Sequence, residues 1–167
     1  KPTQEEWFKG IQFLTDAGHW STGKRQEFIL MSDTLGVSML VDAINYKASA
    51  GTTESTVLGP FHREQAPEYP LGAGISNNAA DGEPCVVSGT VRDGKGRPVA
   101  GAKLDVWQAG ADGFYDSQKG DAMNMRGVFR TDAAGRSHSR CVKPTHYPGP
   151  HDGPAGNILT ATGRHPT

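Results

Sequence analysis

The side chains able to do chemistry in this sequence are few and scattered. Its four tyrosines are Tyr46, Tyr69, Tyr115 and Tyr147, its six histidines His19, His62, His138, His146, His151 and His165, and its two cysteines Cys85 and Cys141. The cysteines have neither a disulfide framework nor metal-type spacing, and read as reduced, buried thiols. His19 and His62 have no metal-type neighbours. His146 abuts Tyr147, so that both ligating one ion would be strained, and each histidine reads as solvated or hydrogen-bonded. The phenols remain. Tyr115 stands in Gly113-Phe114-Tyr115-Asp116 and Tyr147 opens Tyr147-Pro148-Gly149-Pro150. Both lie beside turns and loops, from which a side chain can project into a site. Taken alone, each phenol is equally a half-buried aromatic with a wet hydroxyl. Tyr46 and Tyr69 read as structural or surface residues.

The elements that would position them change character near residue 60. Before it the chain reads as helices. Thr3 caps a first helix, with Glu6 completing a capping box. Trp7, Ile11 and Leu14 form one face, and Gly18 ends it. Thr22 caps a second helix carrying Phe28, Ile29 and Leu35, and a third apolar run spans Val37 to Ile44. Such short helices need a partner surface, and are expected to be an appendage packed on something else. Residues 62–84 form a Gly/Pro/Asn/Ala-rich connection with little periodicity. Strands are expected over Val86–Val91, Ala102–Gln108, Gly127–Asp132 and Arg136–Val142, with turns at Asp93–Pro98 and Ala133–Gly135. Lys143 to Thr167 reads as a Pro/Gly loop with a brief apolar piece at Ile158-Leu159. No internal repeat is visible. The expected fold class is mainly β: an incomplete β-sandwich over 61–167, preceded by a helical region over 1–60.

The totals narrow the function classes. With 167 residues the chain is one ordinary domain or parts of two. A net charge of −1 gives no electrostatic case for nucleic acid or an anionic membrane. No apolar stretch approaches the ~20 residues that cross a bilayer, and a cytoplasmic location is expected. The sequence starts without Met, and an incomplete sheet would leave a bare edge. Truncation at both ends is therefore expected.

An ordered run of blocks resembles the intradiol ring-cleavage dioxygenases. These are Thr56-Val57-Leu58-Gly59-Pro60-Phe61, Gly89-Thr90-Val91-Arg92-Asp93, Gly96 to Ala102, Leu104-Asp105-Val106-Trp107-Gln108, Gly113-Phe114-Tyr115-Asp116 and Phe129-Arg130-Thr131-Asp132, then Tyr147 to Gly156 and Gly163-Arg164-His165-Pro166. The helical stretch Lys24 to Ser38 resembles the hydroxyquinol branch in particular.

The resemblance implies a non-haem Fe(III) centre held by two tyrosinates and two histidines. The matching tyrosines are Tyr115 and Tyr147. Iron(III) is a hard cation that prefers anionic oxygen, and a phenol with a pKa near ~10 ionises on binding it. The family's His-x-His pair would fall beyond Thr167, so the chain alone is expected to have little ring-cleavage activity. In the family the second tyrosinate leaves the metal and can take a substrate proton, the role that falls to Tyr147. Leu30, Asp33, Val57, Leu58, Gly59 and Pro60 match substrate-pocket positions. Leu30 and Asp33 would share one helix face, and Asp33 could accept a hydrogen bond from a third ring hydroxyl. The implied reaction is intradiol cleavage of hydroxyquinol or a related catechol by O2 to a cis,cis-muconate, in aromatic catabolism. The implied assembly is a homodimer through the N-terminal helices. The run from Gly89 to Ala102 also resembles transthyretin-like regulatory β-sandwich modules, and a third reading is a relative that has lost its metal. Iron content and tyrosinate colour separate these.

Overall fold

The first helix opens where the sequence asks for it. The computed structural model describes residues 1–23, 25–78 and 82–164, and α1 spans Gln4–Trp20 behind Thr3. The Thr3 N–H donates to Glu6 Oε2 at 2.7 Å and the Glu6 N–H to Thr3 Oγ1 at 3.2 Å, which forms the expected capping box. Gly18 does not end the helix. Ser21 caps it instead, its hydroxyl donating to Ala17 O at 2.9 Å and its N–H to Gly18 O at 3.2 Å. Thr22 likewise caps a turn rather than a helix, accepting from the Arg25 N–H at 3.1 Å. The second helix, α2 (Glu27–Thr34), starts behind Gln26, and α3 (Val37–Asn45) starts behind Gly36.

The stretch expected to be a Pro/Gly loop contains a helix, α4 (Pro154–Ala161). Pro154 at its first turn has no N–H to leave unpaired and brings a helical φ. A further N–H is satisfied from a distant residue: Ala155 N donates to Glu27 Oε1 at 2.8 Å, and Glu27 is fully buried. Arg25 holds that carboxylate through Nε at 2.9 Å and reaches Asp152 Oδ1 through Nη1 at 2.8 Å. Its guanidinium lies 4.6 Å over the Trp20 ring. Local periodicity could not reveal α4, because its N-terminus is completed by a residue on another helix. The four helices belong to one compact unit, the described residues of Lys1–Lys47, Ser55–Val57 and Pro148–Thr167. Trp7, Ile11 and Leu14, the expected apolar face of α1, are 62%, 42% and 46% exposed, so that face stays open among the described residues.

The second unit, Ala48–Glu54 with Leu58–Tyr147, holds the strands β1 (Pro84–Thr90), β2 (Lys103–Trp107), β3 (Arg126–Arg130) and β4 (Arg136–Val142). Among the described residues β1 pairs antiparallel with β4 and β2 with β3, in two ladders. The consecutive strands β2 and β3 thus form one ladder, and the chain changes ladder between β1 and β2 and between β3 and β4. The hairpin expected between β1 and β2 survives only at its tip, where Asp93 N donates to Arg97 O at 2.8 Å and Val99 N to Val91 O at 3.0 Å. Thr131 then draws the chain to β3, its hydroxyl donating to Val99 O at 2.6 Å and accepting from Ala102 N at 2.9 Å. Ile75, Phe129 and Cys141 form the core, with Val106 and Cys85 packed against it. Residues of both ladders thus share one interior, as in a β-sandwich.

The connection over 62–84, read as having little periodicity, also joins the strands. Tyr69 N donates to Val128 O at 2.8 Å and Ile75 N to Arg140 O at 3.0 Å, so one segment straps β3 and β4 together. Its periodicity is hidden because each short piece serves a different ladder. A small repeat does exist: Asp93-x-x-Gly96-Arg97 and Asp132-x-x-Gly135-Arg136 fold alike. In each, the aspartate Oδ1 accepts the N–H two and four residues on, at 2.8–3.0 Å, and Oδ2 accepts the arginine Nε at 2.8 or 2.9 Å. Both glycines hold a left-handed φ, 78° and 71°.

Candidate functional site

Tyr115 and Tyr147 come together within the strand-bearing unit. Their ring centroids are 5.2 Å apart with planes at 81°, an edge-to-face pair. Phe61 completes the cluster, stacked on Tyr115 at 4.3 Å and 15° and edge-on to Tyr147 at 5.6 Å and 86°. Gly113 lets the two segments meet. A Cβ there would lie 3.1 Å from the His146 carbonyl, and its φ of 80° already disfavours other residues. Thus the Gly-Phe-Tyr-Asp block and the residue before Tyr147 pack backbone to backbone.

The two phenols are not equivalent. Tyr147 is 41% exposed, whereas Tyr115 is half-buried under Phe61. Burial first, then the charge and hydrogen bond of Tyr147, hold the Tyr115 hydroxyl above its ordinary range. Two phenols at contact distance resist joint ionisation unless a cation lies beside them. That chemistry fits a hard, highly charged metal ion, on which two potential anionic oxygens could converge. Among the described residues no group of three or more His, Cys, Asp or Glu side chains could hold a metal.

Beneath Tyr115 lies a polar network that sequence reasoning missed. Asp116 accepts from Arg126 Nε at 2.6 Å and from Arg126 Nη2, and the two side chains are 3% and 1% exposed. Burial alone would raise the Asp116 carboxyl. The Arg126 guanidinium and the N–H groups of Asn124 and Ser117 outweigh it and hold the group below the usual carboxylate range. The available signal was a lone aspartate beside a candidate tyrosine and an arginine opening the next strand. A second cluster, His62 Nε2 at 3.5 Å from Asp105 Oδ2 and edge-on to Trp107 at 4.8 Å, gives His62 partners that spacing did not show.

The six pocket positions divide between the units. Leu30 and Asp33 stand on α2 in the helical unit, one half-buried and one exposed, and Val57 belongs to that unit too. Leu58, Gly59 and Pro60 belong to the strand-bearing unit, all exposed, with Gly59 at φ 80°. Tyr69 packs tilted on Phe129 at 6.2 Å and Tyr46 is 66% exposed, a structural and a surface residue respectively. Lys24, His165 and Pro166 of the matched blocks, and Thr167, lie outside the described residues. No described helix is long and apolar enough to cross a membrane.

Comparison with known proteins agrees along the chain. A family profile described as catechol dioxygenase N terminus matches residues 1–53, and one described as dioxygenase matches residues 57–167. A hydroxyquinol 1,2-dioxygenase of Rhizobium sp. is 55% identical, over 99% of this chain and 57% of the relative. A 6-chlorohydroxyquinol 1,2-dioxygenase of Cupriavidus pinatubonensis is 52% identical, over 98% of this chain and 60% of the relative. Among solved structures, the hydroxyquinol 1,2-dioxygenase of Pseudomonas putida superposes with a TM-score of 0.91 at 48% identity, over 98% of this chain and 58% of that one. The catechol 1,2-dioxygenase of an Acinetobacter species gives 0.72 at 28% identity, over 98% of this chain and 55% of that one. The chain spans less than two thirds of these relatives' length. With both profiles matched in order along the chain and the fold shared, this chain belongs to the intradiol ring-cleavage dioxygenase family.

Proposed function

We propose that the protein carrying this sequence opens the ring of hydroxyquinol, or a closely related catechol, between its adjacent hydroxyls with O2 to give a cis,cis-muconate. The observation that carries this reading is the convergence of Tyr115 and Tyr147 into one edge-to-face pair. The similarity to hydroxyquinol and chlorohydroxyquinol dioxygenases at 55% and 52% identity favours a triol over a plain catechol.

Tyr115 and Tyr147 would hold Fe(III), their phenol oxygens serving as anionic ligands. When bound, the metal would supply Lewis acidity that draws electron density from a chelated diol. The chain's own groups do the rest. Tyr115, stacked under Phe61, stays fixed and shielded from water on that face. Tyr147, more exposed, can as its phenolate take up a proton from a diol hydroxyl as the substrate docks, becoming a neutral phenol. Leu30, Val57, Leu58, Gly59 and Pro60 would provide the flat apolar walls an aromatic ring needs. Asp33 would accept a hydrogen bond from the third hydroxyl. The open face of α1 suits a homodimer through the N-terminal helices.

Ferric titration of the protein tests this. Binding should produce a visible tyrosinate-to-iron charge-transfer band, which Tyr115→Phe and Tyr147→Phe each weaken. Oxygen uptake should be faster with hydroxyquinol than with catechol, and Asp33→Asn should narrow that preference. A colourless ferric protein, or bands indifferent to both tyrosines, would overturn the assignment.

A further inference from the structure

We propose that Asp116 and Arg126 form a positioning pair that fixes where the Tyr115 and Phe61 rings point. This rests on the reading of Tyr115 as a ferric ligand, though the geometry that suggests it does not. Asp116 follows Tyr115 directly, and its carboxylate is filled. Oδ1 accepts from Ser117 N at 2.8 Å and from Arg126 Nη2. Oδ2 accepts from Arg126 Nε at 2.6 Å and from Asn124 N at 3.1 Å, with Arg63 Nη1 at 3.5 Å. A carboxylate so occupied has no lone pair to offer a metal or a substrate. Its role runs through what it holds.

Arg126 holds the other side. Its Nη2 also donates to the Phe61 carbonyl at 3.0 Å, and Arg63 Nη2 donates to the Asp121 carbonyl at 3.0 Å. Three segments are thereby tied at one point: 61–63, which carries the stacked ring; 115–118, which carries the phenol; and the start of β3. The ion pair fixes the backbone on both sides of the 4.3 Å Phe61–Tyr115 stack.

Stability alone is a poor account of the pair. Burying two charges costs about what their attraction returns, and an apolar pair of equal volume often does as well. Arg126 Nη1 is moreover buried with no partner among the described residues, a cost an apolar side chain would not carry. What an apolar pair cannot do is grip the Phe61 carbonyl and the amides of Ser117 and Asn124 together. Outer hydrogen bonds of this kind typically set metal affinity by about 10–100-fold.

The test uses Arg126→Lys, which keeps the charge but loses the planar fork, and Asp116→Asn, which keeps an acceptor. Cys141→Ala is a control that removes buried volume from the core on β4, outside the network. Near-ultraviolet circular dichroism and tyrosine ring NMR of the metal-free protein report the ring arrangement. Ferric titration reports affinity and the charge-transfer maximum. The expected result is that both variants keep the far-ultraviolet spectrum, lose most of the near-ultraviolet tyrosine signal, bind iron roughly tenfold more weakly and shift the band. The control should do none of these. If Arg126→Lys does not fold, Asp116→Asn decides by the same measures. Unchanged ring signals in the folded variants would overturn the proposal, as would equal changes in the control. If the parent protein gives no ferric band while the variants still disturb the rings, the metal reading fails and the positioning role stands.

Discussion

Replacing Phe61 by leucine isolates the ring cluster as an energetic unit. Leucine retains most of the apolar volume, so the transfer loss at this half-buried site is small, below about 1 kcal/mol. What disappears is the stack on Tyr115 at 4.3 Å and the edge contact with Tyr147 at 5.6 Å. Each aromatic pair contributes about 0.5–1.5 kcal/mol beyond burial, so Phe61→Leu should cost about 1–3 kcal/mol in the metal-free protein. The split is more informative than the sum. The close, nearly parallel contact belongs at the upper end of that range. The longer contact, to a ring 41% exposed, belongs at the lower end. Double-mutant cycles with Tyr115→Leu and Tyr147→Leu, measured by urea unfolding, should give couplings of about 1.5 and about 0.5 kcal/mol. A cycle with Tyr69→Leu, whose ring packs on Phe129 instead, should give none. A Phe61–Tyr115 coupling below about 0.3 kcal/mol, within the usual additivity error, would show that the rings are merely adjacent.

Three further outcomes follow from other parts of the chain. Glu27→Ala strands the Ala155 N–H and leaves Arg25 with Asp152 alone, and should cost about 2–4 kcal/mol; Glu27→Gln keeps an acceptor and should cost at least about 1 kcal/mol less by thermal unfolding. Equal losses would mean that capping of α4 is unimportant. The twin turns should respond unequally to Gly→Ala. Gly96→Ala meets nothing within 4 Å and costs only left-handed strain, about 1–2 kcal/mol, whereas at Gly135 the new Cβ lies 2.5 Å from the Val91 carbonyl and the loss should be clearly larger. Burial, then the neighbouring Cys85, pushes the Cys141 thiol up to about 11. With the folded value above the unfolded one, the native state holds its proton longer. Stability is therefore intact below about pH 9 and falls on the order of 2 kcal/mol as pH rises to 11. Cys141→Ala should flatten that limb in urea titrations, and an unchanged slope would place the titration elsewhere.

Elements whose cause is local were legible in the sequence. The capping box at Thr3, the apolar run of α3 and the run of β4 all depend on residues within a few positions of themselves. The failures share the opposite property. Gly18 passed for a helix end because its neighbour Ser21 competes for the same carbonyls. The helix α4 was unreadable because half of its N-terminus is supplied by Glu27. The strap over 67–75 carries no alternation because Tyr69 answers β3 and Ile75 answers β4. The twin turns were overlooked as a repeat because only Asp, Gly and Arg recur in them.

The site divides in the same way. Types and turns singled out Tyr115 and Tyr147 as side chains free to project, yet nothing in their spacing says that they meet. That depends on Gly113 admitting the His146 carbonyl at a distance no Cβ would comfortably allow. Only the ordered family blocks gave the pairing in advance. Nor did those blocks draw attention to Asp116 and Arg126, although both are printed in them or beside them. Charged residues in a Gly/Asn/Met-rich stretch pass for groups that face solvent until burial is known. Burial reverses that reading. At 3% and 1% exposure such a pair stays only where its directional bonds do something bulk cannot, and here those bonds end on the Phe61 carbonyl and on the amides of Ser117 and Asn124, with Asp116 itself next to the Tyr115 that stacks on Phe61. Arg126→Met would therefore be more revealing than a loss-of-charge variant on the surface. If it stabilises the fold while scattering the Phe61 and Tyr115 ring signals, geometry and not stability is what the ion pair supplies.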